Sequence, residues 1–218
     1  MKIEITALKY AESTFPEWLI FKGGKKDVRR PISVIVYLIK TEHSLILVDA
    51  GCENMDGFDM KYFTSPKSIL KSLDIRPEEI DNVIITHPHH DHIQAVYLFE
   101  NATIHIEKEA FEEAKKYIPD NFLVNVFENE YVLDDCVRVL KIGGHCNGSC
   151  IVIANEYVIA GDECYSLKSI EDKIPTGAAA YPEKNAQFIE EYSKPCYNVL
   201  SCHDSGILPG KNGYIKII

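Results

Sequence analysis

The stretch Thr86-His87-Pro88-His89-His90-Asp91-His92 follows directly on the apolar run Val83-Ile84-Ile85, and it decides how this chain is read. A short run of β-branched residues reads as a buried strand. The chain leaving it enters a tight loop crowded with imidazoles and one carboxylate. His87, His89, Asp91 and His92 stand in a His-x-His-x-Asp-His array. Neutral imidazole is the commonest protein ligand for a divalent metal, and a nearby carboxylate adds charge and can orient a ring or ligate. His87 and His89 can reach one ion together, while Asp91 and His92 can turn toward a second. The bland alternative is a polar surface loop that happens to be rich in histidine, His90 included. Four fixed residue types at fixed spacing favour the metal site.

Outward from this loop, other polar residues fall at the ends of expected strands. Strands are expected over residues 32–39 and 45–48, joined by a turn at 40–43 that leaves His43 solvated. The second ends in Asp49-Ala50-Gly51, where Asp49 can accept a hydrogen bond from a ligating histidine or from loop amides. Helical spacing over 66–73 and a proline-led turn at 76–80 precede the strand 83–85. A helix is expected from 91 to 99, placing Asp91 and His92 near its N-terminus. Then come a strand at 103–106, with His105 on its polar face, and a charged helix at 107–117. Strands at 123–126, 137–142 and 151–154 follow, and the glycine-rich turn 143–149 holds His145. A strand at 157–160 runs into Gly161-Asp162, and one at 197–201 into Cys202-His203-Asp204. Helices are expected over 166–173 and 183–192, and an edge strand over 213–218. Strand ends that converge on one rim of a sheet or sandwich are where ligands bind. The segment 12–30 has no period, carries Trp18 and Phe21 and a basic cluster at 25–30, and reads equally as a binding loop or as a connector.

Composition bounds the partners. The 218 residues are 46% apolar, enough for a real core in one domain over 1–218. Lys and Arg number 23 against 33 acidic residues, a net charge of −10, which argues against a nucleic-acid partner. It does not exclude a small anion, because bound metal ions dominate the field within a site. The longest apolar run, 34–39, is too short to span a membrane. Residues 1–5 alternate like a strand and no apolar signal region follows, so a cytoplasmic protein is expected. Seven cysteines without a Cys-x-x-Cys pair suit free thiols in a reducing compartment. Cys146, Cys164 and Cys202, next to candidate ligands, read as small buried neighbours.

Asp49-Ala50-Gly51, the 87–92 array, Gly144-His145, Gly161-Asp162 and His203, in that order, resemble the metallo-β-lactamase superfamily over nearly the whole chain. The resemblance implies an α/β fold, a four-layer αββα sandwich with a two-metal site at one edge. Carried over position by position, it implies a first ion held by His87, His89 and His145. A second would be held by Asp91, His92 and His203, with Asp162 bridging both. The ions would be divalent, zinc first, with iron or manganese as alternatives. Asp162 stands where the true β-lactamases of this fold carry cysteine, and His89 where the flavodiiron branch carries glutamate. With 15 residues after His203, the helical domain of the glyoxalase II branch is not expected, nor are the large insertions of the nuclease branches. Small hydrolases remain, including lactonases that open N-acyl homoserine lactones. Asp162-Glu163-Cys164-Tyr165 resembles their bridging aspartate followed three residues later by tyrosine. Ile93-Gln94-Ala95-Val96 departs from their usual Ala-Gly-Gly-Asn, and Asn147 from a proline.

The implied chemistry is hydrolysis of an ester, lactone or related small-molecule bond by a hydroxide activated between two metals. Asp162 would bridge the ions, Asp91 could shuttle a proton to the leaving group, and Tyr165 could donate to the developing oxyanion. Two other enzymes of the same fold stay open: a mononuclear iron oxygenase acting on a sulfur substrate through His87, His89, His145 and Asp162, and a phosphodiesterase. A non-catalytic metal-binding sensor is a further alternative. The oligomeric state is open, a homodimer included.

Overall fold

The computed structural model describes residues 2–55, 59–206 and 213–218. The chain runs β1 (Glu4–Pro16), α1 (Glu17–Ile20), β2 (Arg29–Lys40), β3 (Leu45–Val48), α2 (Pro66–Ser72), β4 (Asn82–Ile84), α3 (His90–Ile93), β5 (Thr103–Glu107) and α4 (Lys108–Ala114). It continues through β6 (Leu123–Phe127), β7 (Glu130–Leu133), β8 (Val137–Lys141), β9 (Cys150–Ala154), β10 (Tyr157–Ile159), α5 (Leu167–Glu171), α6 (Pro182–Tyr192), β11 (Asn198–Leu200) and β12 (Tyr214–Lys216). Among the described residues, no helix is long and apolar enough to cross a membrane.

Two sheets face each other, one in the order β12-β1-β2-β3-β4-β5-β6 and one in the order β11-β10-β9-β8-β7. Three apolar cores separate four layers. The middle core joins Ile35, Tyr37 and Ile39 of β2 to Val137 and Val139 of β8 and Val152 of β9. On the outer face of the larger sheet, Val34, Val36 and Leu38 meet Ile69 and Leu70 of α2 and Ala110 and Ala114 of α4. On the outer face of the smaller sheet, Phe188, Ile189 and Tyr192 of α6 cover Ile151 and Val158. A strand buried on both faces loses the alternation of apolar and polar residues, which is why 34–39 reads as an unbroken apolar run. The αββα sandwich expected from the resemblance is the fold observed.

Several elements differ from their sequence reading. β1 runs from Glu4 to Pro16, well past the alternating residues 1–5, with a bulge between Lys9 and Ala11, and pairs with β2 down to Pro16 opposite Arg29. Residues 12–16 and 29–30 of the aperiodic 12–30 segment are therefore strand. Its pattern is hidden by the bulge, which shifts side chains to the other face. The helix expected over 91–99 is α3 followed by a 3-10 stretch, Gln94–Leu98. The short edge strand β7 lacked a sequence signal. His105 is buried, not on a polar face: it sits between Asn82 and Asn125, at 2.8 and 3.0 Å, and stacks on Tyr131.

The site-bearing strand ends are held by the sheets. β3 pairs with β2 only from Tyr37 to Lys40, so the first half of β2 has a free edge. The segment after β11 occupies it: Ser33 N and Ile35 N donate to the carbonyls of His203 and Cys202 at 3.1 and 3.0 Å. The buried Tyr37 hydroxyl donates to Ser201 O at 2.7 Å, tying the two sheets together beside His203. Replacing Tyr37 by Phe leaves that buried carbonyl without its donor and is expected to cost about 1–2 kcal/mol. Urea denaturation checks it, and a midpoint equal to that of the wild type would remove the bond from the account.

Candidate metal centre

The loops after β3, β4, β8, β10 and β11 bring their polar residues to one place. His87, His89, His145 and Asp162 each present one ligand atom within 4.8 Å of the others, and Asp91, His92 and His203 form a second such group. Asp162 lies between the two groups. Its Oδ2 is 3.4 Å from Nε2 of both His87 and His145, and its Oδ1 is 3.0 and 3.1 Å from Nε2 of His92 and His203. Asp91 Oδ2 completes the second group, 3.8 Å from His92 Nε2 and 3.5 Å from His203 Nε2. All seven residues expected as metal ligands are thus brought together. Most are buried; His89 and Asp91 are partly exposed and form the open side. His90 turns away, its Nε2 on Asn54 O at 2.9 Å.

The donor set suits divalent cations. Nε2 of His87, His92 and His203 and Oδ1 of Asp162 are buried without a hydrogen-bond partner. Buried polar atoms left this way cost about 1–3 kcal/mol each unless something satisfies them. Nε2 of His145 and Nδ1 of His89 face each other at 2.9 Å, a contact in which the tautomer decides which nitrogen donates. Burial pushes His87 and His145 down to about 3, so both rings are neutral and free to ligate at physiological pH. Burial also opposes charge on His92 and His203, but Asp162 above all, joined by Asp91, outweighs it and raises both. Burial likewise works against a charged Asp162, yet His92 and His203, then His87 and His145, hold its carboxyl well below the usual range.

Each ligand is positioned by a buried contact. Asp49, with φ of +63°, accepts from Thr86 N at 2.8 Å and Thr86 Oγ1 at 2.9 Å. Its Oδ2 also lies 2.7 Å from His92 Nδ1, so it orients that ring as the sequence suggested. Asp49, His92 and Cys202 also lie close together. The Asp49 oxygens are already engaged there, and burial and the nearby Asp49 charge push the Cys202 thiol well up, so it stays protonated. The Tyr10 hydroxyl, at the β1 bulge, donates to Asp91 O at 2.9 Å. A Cβ on Gly51 would stand 3.1 Å from the Tyr10 ring, and Gly51 has φ of +75°, two reasons for glycine there.

Glu163 was not singled out in the sequence, and it does the most positioning. Fully buried, its Oε1 accepts from Gly144 N and His145 N, both at 2.9 Å, and from Ser149 Oγ at 2.7 Å. Its Oε2 accepts from Asn185 Nδ2 at 2.9 Å. One carboxylate therefore ties the His145 turn to the residue next to Asp162. The signal for it lay in α6, where Asn185 is a polar residue on the buried stripe shared with Phe188, Ile189 and Tyr192.

The remaining expectations find these places. The Tyr165 hydroxyl donates to Asp162 Oδ2 at 2.8 Å, and its ring stacks on His203 at 5.2 Å. Burial, then the Asp162 charge, raises it well above the usual phenol, so it remains a donor. Ile93, Ala95 and Val96 are buried in the core, while Gln94 Oε1 accepts from Glu53 N at 2.8 Å. Asn147 Oδ1 accepts from Tyr181 OH at 2.7 Å. Cys164 is buried, Cys146 partly so, and all seven cysteines are free.

The family model of the metallo-beta-lactamase superfamily matches residues 29–163. A probable metallo-hydrolase of Methanocaldococcus jannaschii is 28% identical over 159 residues, covering 73% of this chain and 70% of that protein. An N-acyl homoserine lactonase of Bacillus cereus is 28% identical over 172 residues, covering 66% and 69%. Among solved structures, B. thuringiensis AiiA with N-decanoyl-L-homoserine bound at its active site superposes with a TM-score of 0.83 at 20% identity, over 94% of this chain and 95% of that one. A probable metal-dependent hydrolase from Staphylococcus aureus gives 0.76 at 18% identity, over 94% and 91%. These structural likenesses are likenesses of fold.

Glu163→Gln keeps an acceptor for the His145 turn but sets an NH2 against the Asn185 NH2. Metal affinity is expected to fall about 10–100-fold, the usual cost of disturbing a contact behind a ligand. Competition with a chromophoric chelator measures it; affinity equal to wild type in a folded variant would strip Glu163 of this role.

Proposed function

The chain belongs to the metallo-beta-lactamase superfamily, and from that premise we propose that it is a two-metal hydrolase acting on an ester, lactone or related bond of a small molecule. The observation that carries this is Asp162, one carboxylate with an oxygen turned to each group of histidines. His87, His89 and His145 would hold one divalent ion and Asp91, His92 and His203 the other, with Asp162 shared and zinc the first candidate. Such ions supply Lewis-acid polarisation of a carbonyl and a water acidified toward neutrality.

The side chains supply the rest. Neutral His87 and His145 bring lone pairs without first losing a proton. Tyr165, held protonated beside Asp162, can shift its hydroxyl to the carbonyl oxygen of a bound substrate as charge gathers there. Asp91, on the open side, can take up a proton and pass it to the departing oxygen. The complete set of Asp91, His92 and His203 weighs against a one-metal oxygenase, which needs none of the three. Lactones lead among substrates because the Bacillus relatives are N-acyl homoserine lactonases.

The test is base-free hydrolysis of an N-acyl homoserine lactone series by zinc-loaded protein, followed with a pH indicator. Lactone opening is expected, with Asp162→Asn lowering kcat/KM by about 100-fold or more and lowering metal content with it. Protein that carries two ions and opens no lactone would end the lactonase reading. Saturation at one ion per chain would end the two-metal reading.

A further inference from the structure

A cavity of about 530 Å³ opens beside Tyr165 and His203. That volume suits a small-molecule ligand. Its buried lining is apolar, with Ile20 and Ile32 joined by Phe21 and Ile174. Its exposed lining carries three cations, Lys22, Arg30 and Lys168. The two acids of the lining are engaged within the protein. Glu17 accepts from Arg30 and from Lys25 N at 3.0 Å, and Asp204 accepts from Ser166 Oγ at 3.0 Å and from Leu167 N and Gly206 N at 2.7 Å. Lys168 pairs with Asp172 on its own helix, an exposed contact that holds weakly. Lys22 has no ion-pair partner among the described residues.

The cations belong to a local reversal of charge. Residues 22–30 hold Lys22, Lys25, Lys26, Arg29 and Arg30 against the single acid Asp27, in a chain of net charge −10. The rim that carries Lys22 is fixed in place. Lys22 N donates to Pro175 O at 2.8 Å, and Ala178 N to Leu19 O at 2.9 Å. Trp18 O approaches Gly177 so closely that a Cβ there would stand 1.8 Å from it. The same segment reaches the His145 turn through Ala180 N on His145 O at 3.0 Å and Tyr181 N on Gly144 O at 2.8 Å. The cationic mouth and the candidate metal centre thus share one backbone-bonded frame.

We propose that this cavity is the substrate pocket and that it selects an anionic substrate: a small ester or lactone whose carbon chain lies on the apolar lining and whose free carboxylate or phosphate meets Lys22 and Lys168, with Arg30 beside them. The inference rests on the hydrolase reading above. In the reaction, the acyl–oxygen bond breaks, the oxygen of water joins the acyl carbon, and a proton goes to the leaving oxygen. The anionic group takes no part in bond making; it gives affinity and, through the field of the mouth, faster encounter.

The matched probes are mono-p-nitrophenyl adipate and p-nitrophenyl hexanoate, equal in chain length and differing in the terminal carboxylate. Metal-loaded wild type is expected to favour the adipate ester by about tenfold in kcat/KM at low ionic strength, with the preference eroding as salt rises. In the double variant Lys22→Glu, Lys168→Glu the ratio is expected to fall to unity or below; as a ratio it is insensitive to folding yield and metal loading. A wild-type ratio of one, or a ratio unchanged in the variant, overturns the proposal while leaving the hydrolase reading intact. Calorimetric binding of adipate and of hexyl phosphate gives a readout without turnover. Binding weakened about tenfold in the variant supports the anion pocket even if neither ester is hydrolysed, an outcome that counts against the hydrolase reading alone. The tighter of the two probes separates a carboxylate from a phosphate substrate, and binding of neither overturns the proposal.

Discussion

The carboxylate of Asp162, buried among four imidazoles, is the constraint on which the rest of the structure turns. A lone buried carboxylate is costly, and here two of the four rings are pushed toward neutrality by the same burial. The other two keep raised proton affinities only because acids surround them. Charge is thus poorly matched within the protein alone, and several nitrogens point at the centre without partners. An arrangement of that kind is expensive for a domain whose whole stability is of order 10 kcal/mol. Cations placed between the rings resolve both faults at once, since they satisfy the lone pairs and balance the carboxylates.

Such a centre sits on loops, and loops alone do not hold atoms to a few tenths of an ångström. The structure meets this by giving each ligand loop a buried hydrogen-bond partner that belongs to another loop or to a sheet. Asp49, at the end of β3, holds Thr86 and His92. Glu163, after β10, holds the His145 turn from the β8–β9 connection. The open edge of β2 holds His203 through its carbonyl and, at Ser33 O, through Nδ1 at 3.0 Å. Tyr10 holds the backbone of Asp91. Every ligand-bearing segment named here is fixed by a group distant in sequence, so the two sheets must be assembled before the site exists.

This division explains what could be read from the residues. The His87–His92 array was legible because metal ligation demands particular side chains at short spacing, and Asp49, His145, Asp162 and His203 because each follows an apolar run. The layered fold followed from the resemblance those residues carry. Glu163 was not legible: a glutamate beside an aspartate looks like ordinary surface charge until the turn it supports is folded against it. His105 was misjudged for the same reason, since alternation with Ile104 and Ile106 shows which way a side chain points but not that Asn82 and Asn125 wait there under cover. The length of the β1–β2 hairpin was hidden by the bulge at Tyr10, the feature that also delivers Tyr10 to Asp91. Local pattern failed where a contact with the site had bent it.

Net charge is an average, and in this protein the average conceals the mouth of the cavity. An acidic surface disfavours polyanions, whose many phosphates would cross a broad repulsive field. A single small anion is different, because it senses mainly charges within about 10 Å under ordinary salt. The charged residues lining the cavity are Lys22, Arg30 and Lys168 together with Glu17, which pairs with Arg30, and Asp204, which is bonded to backbone and Ser166. On the other side of the centre, Ile93, Ala95 and Val96 are fully buried in the core. The cavity lies toward Tyr165 and the 17–32 wall, and that wall carries Lys22 and Arg30. In the segment read from sequence as either a binding loop or a connector, Lys22 lines the cavity while its backbone joins the rim to the frame that holds His145.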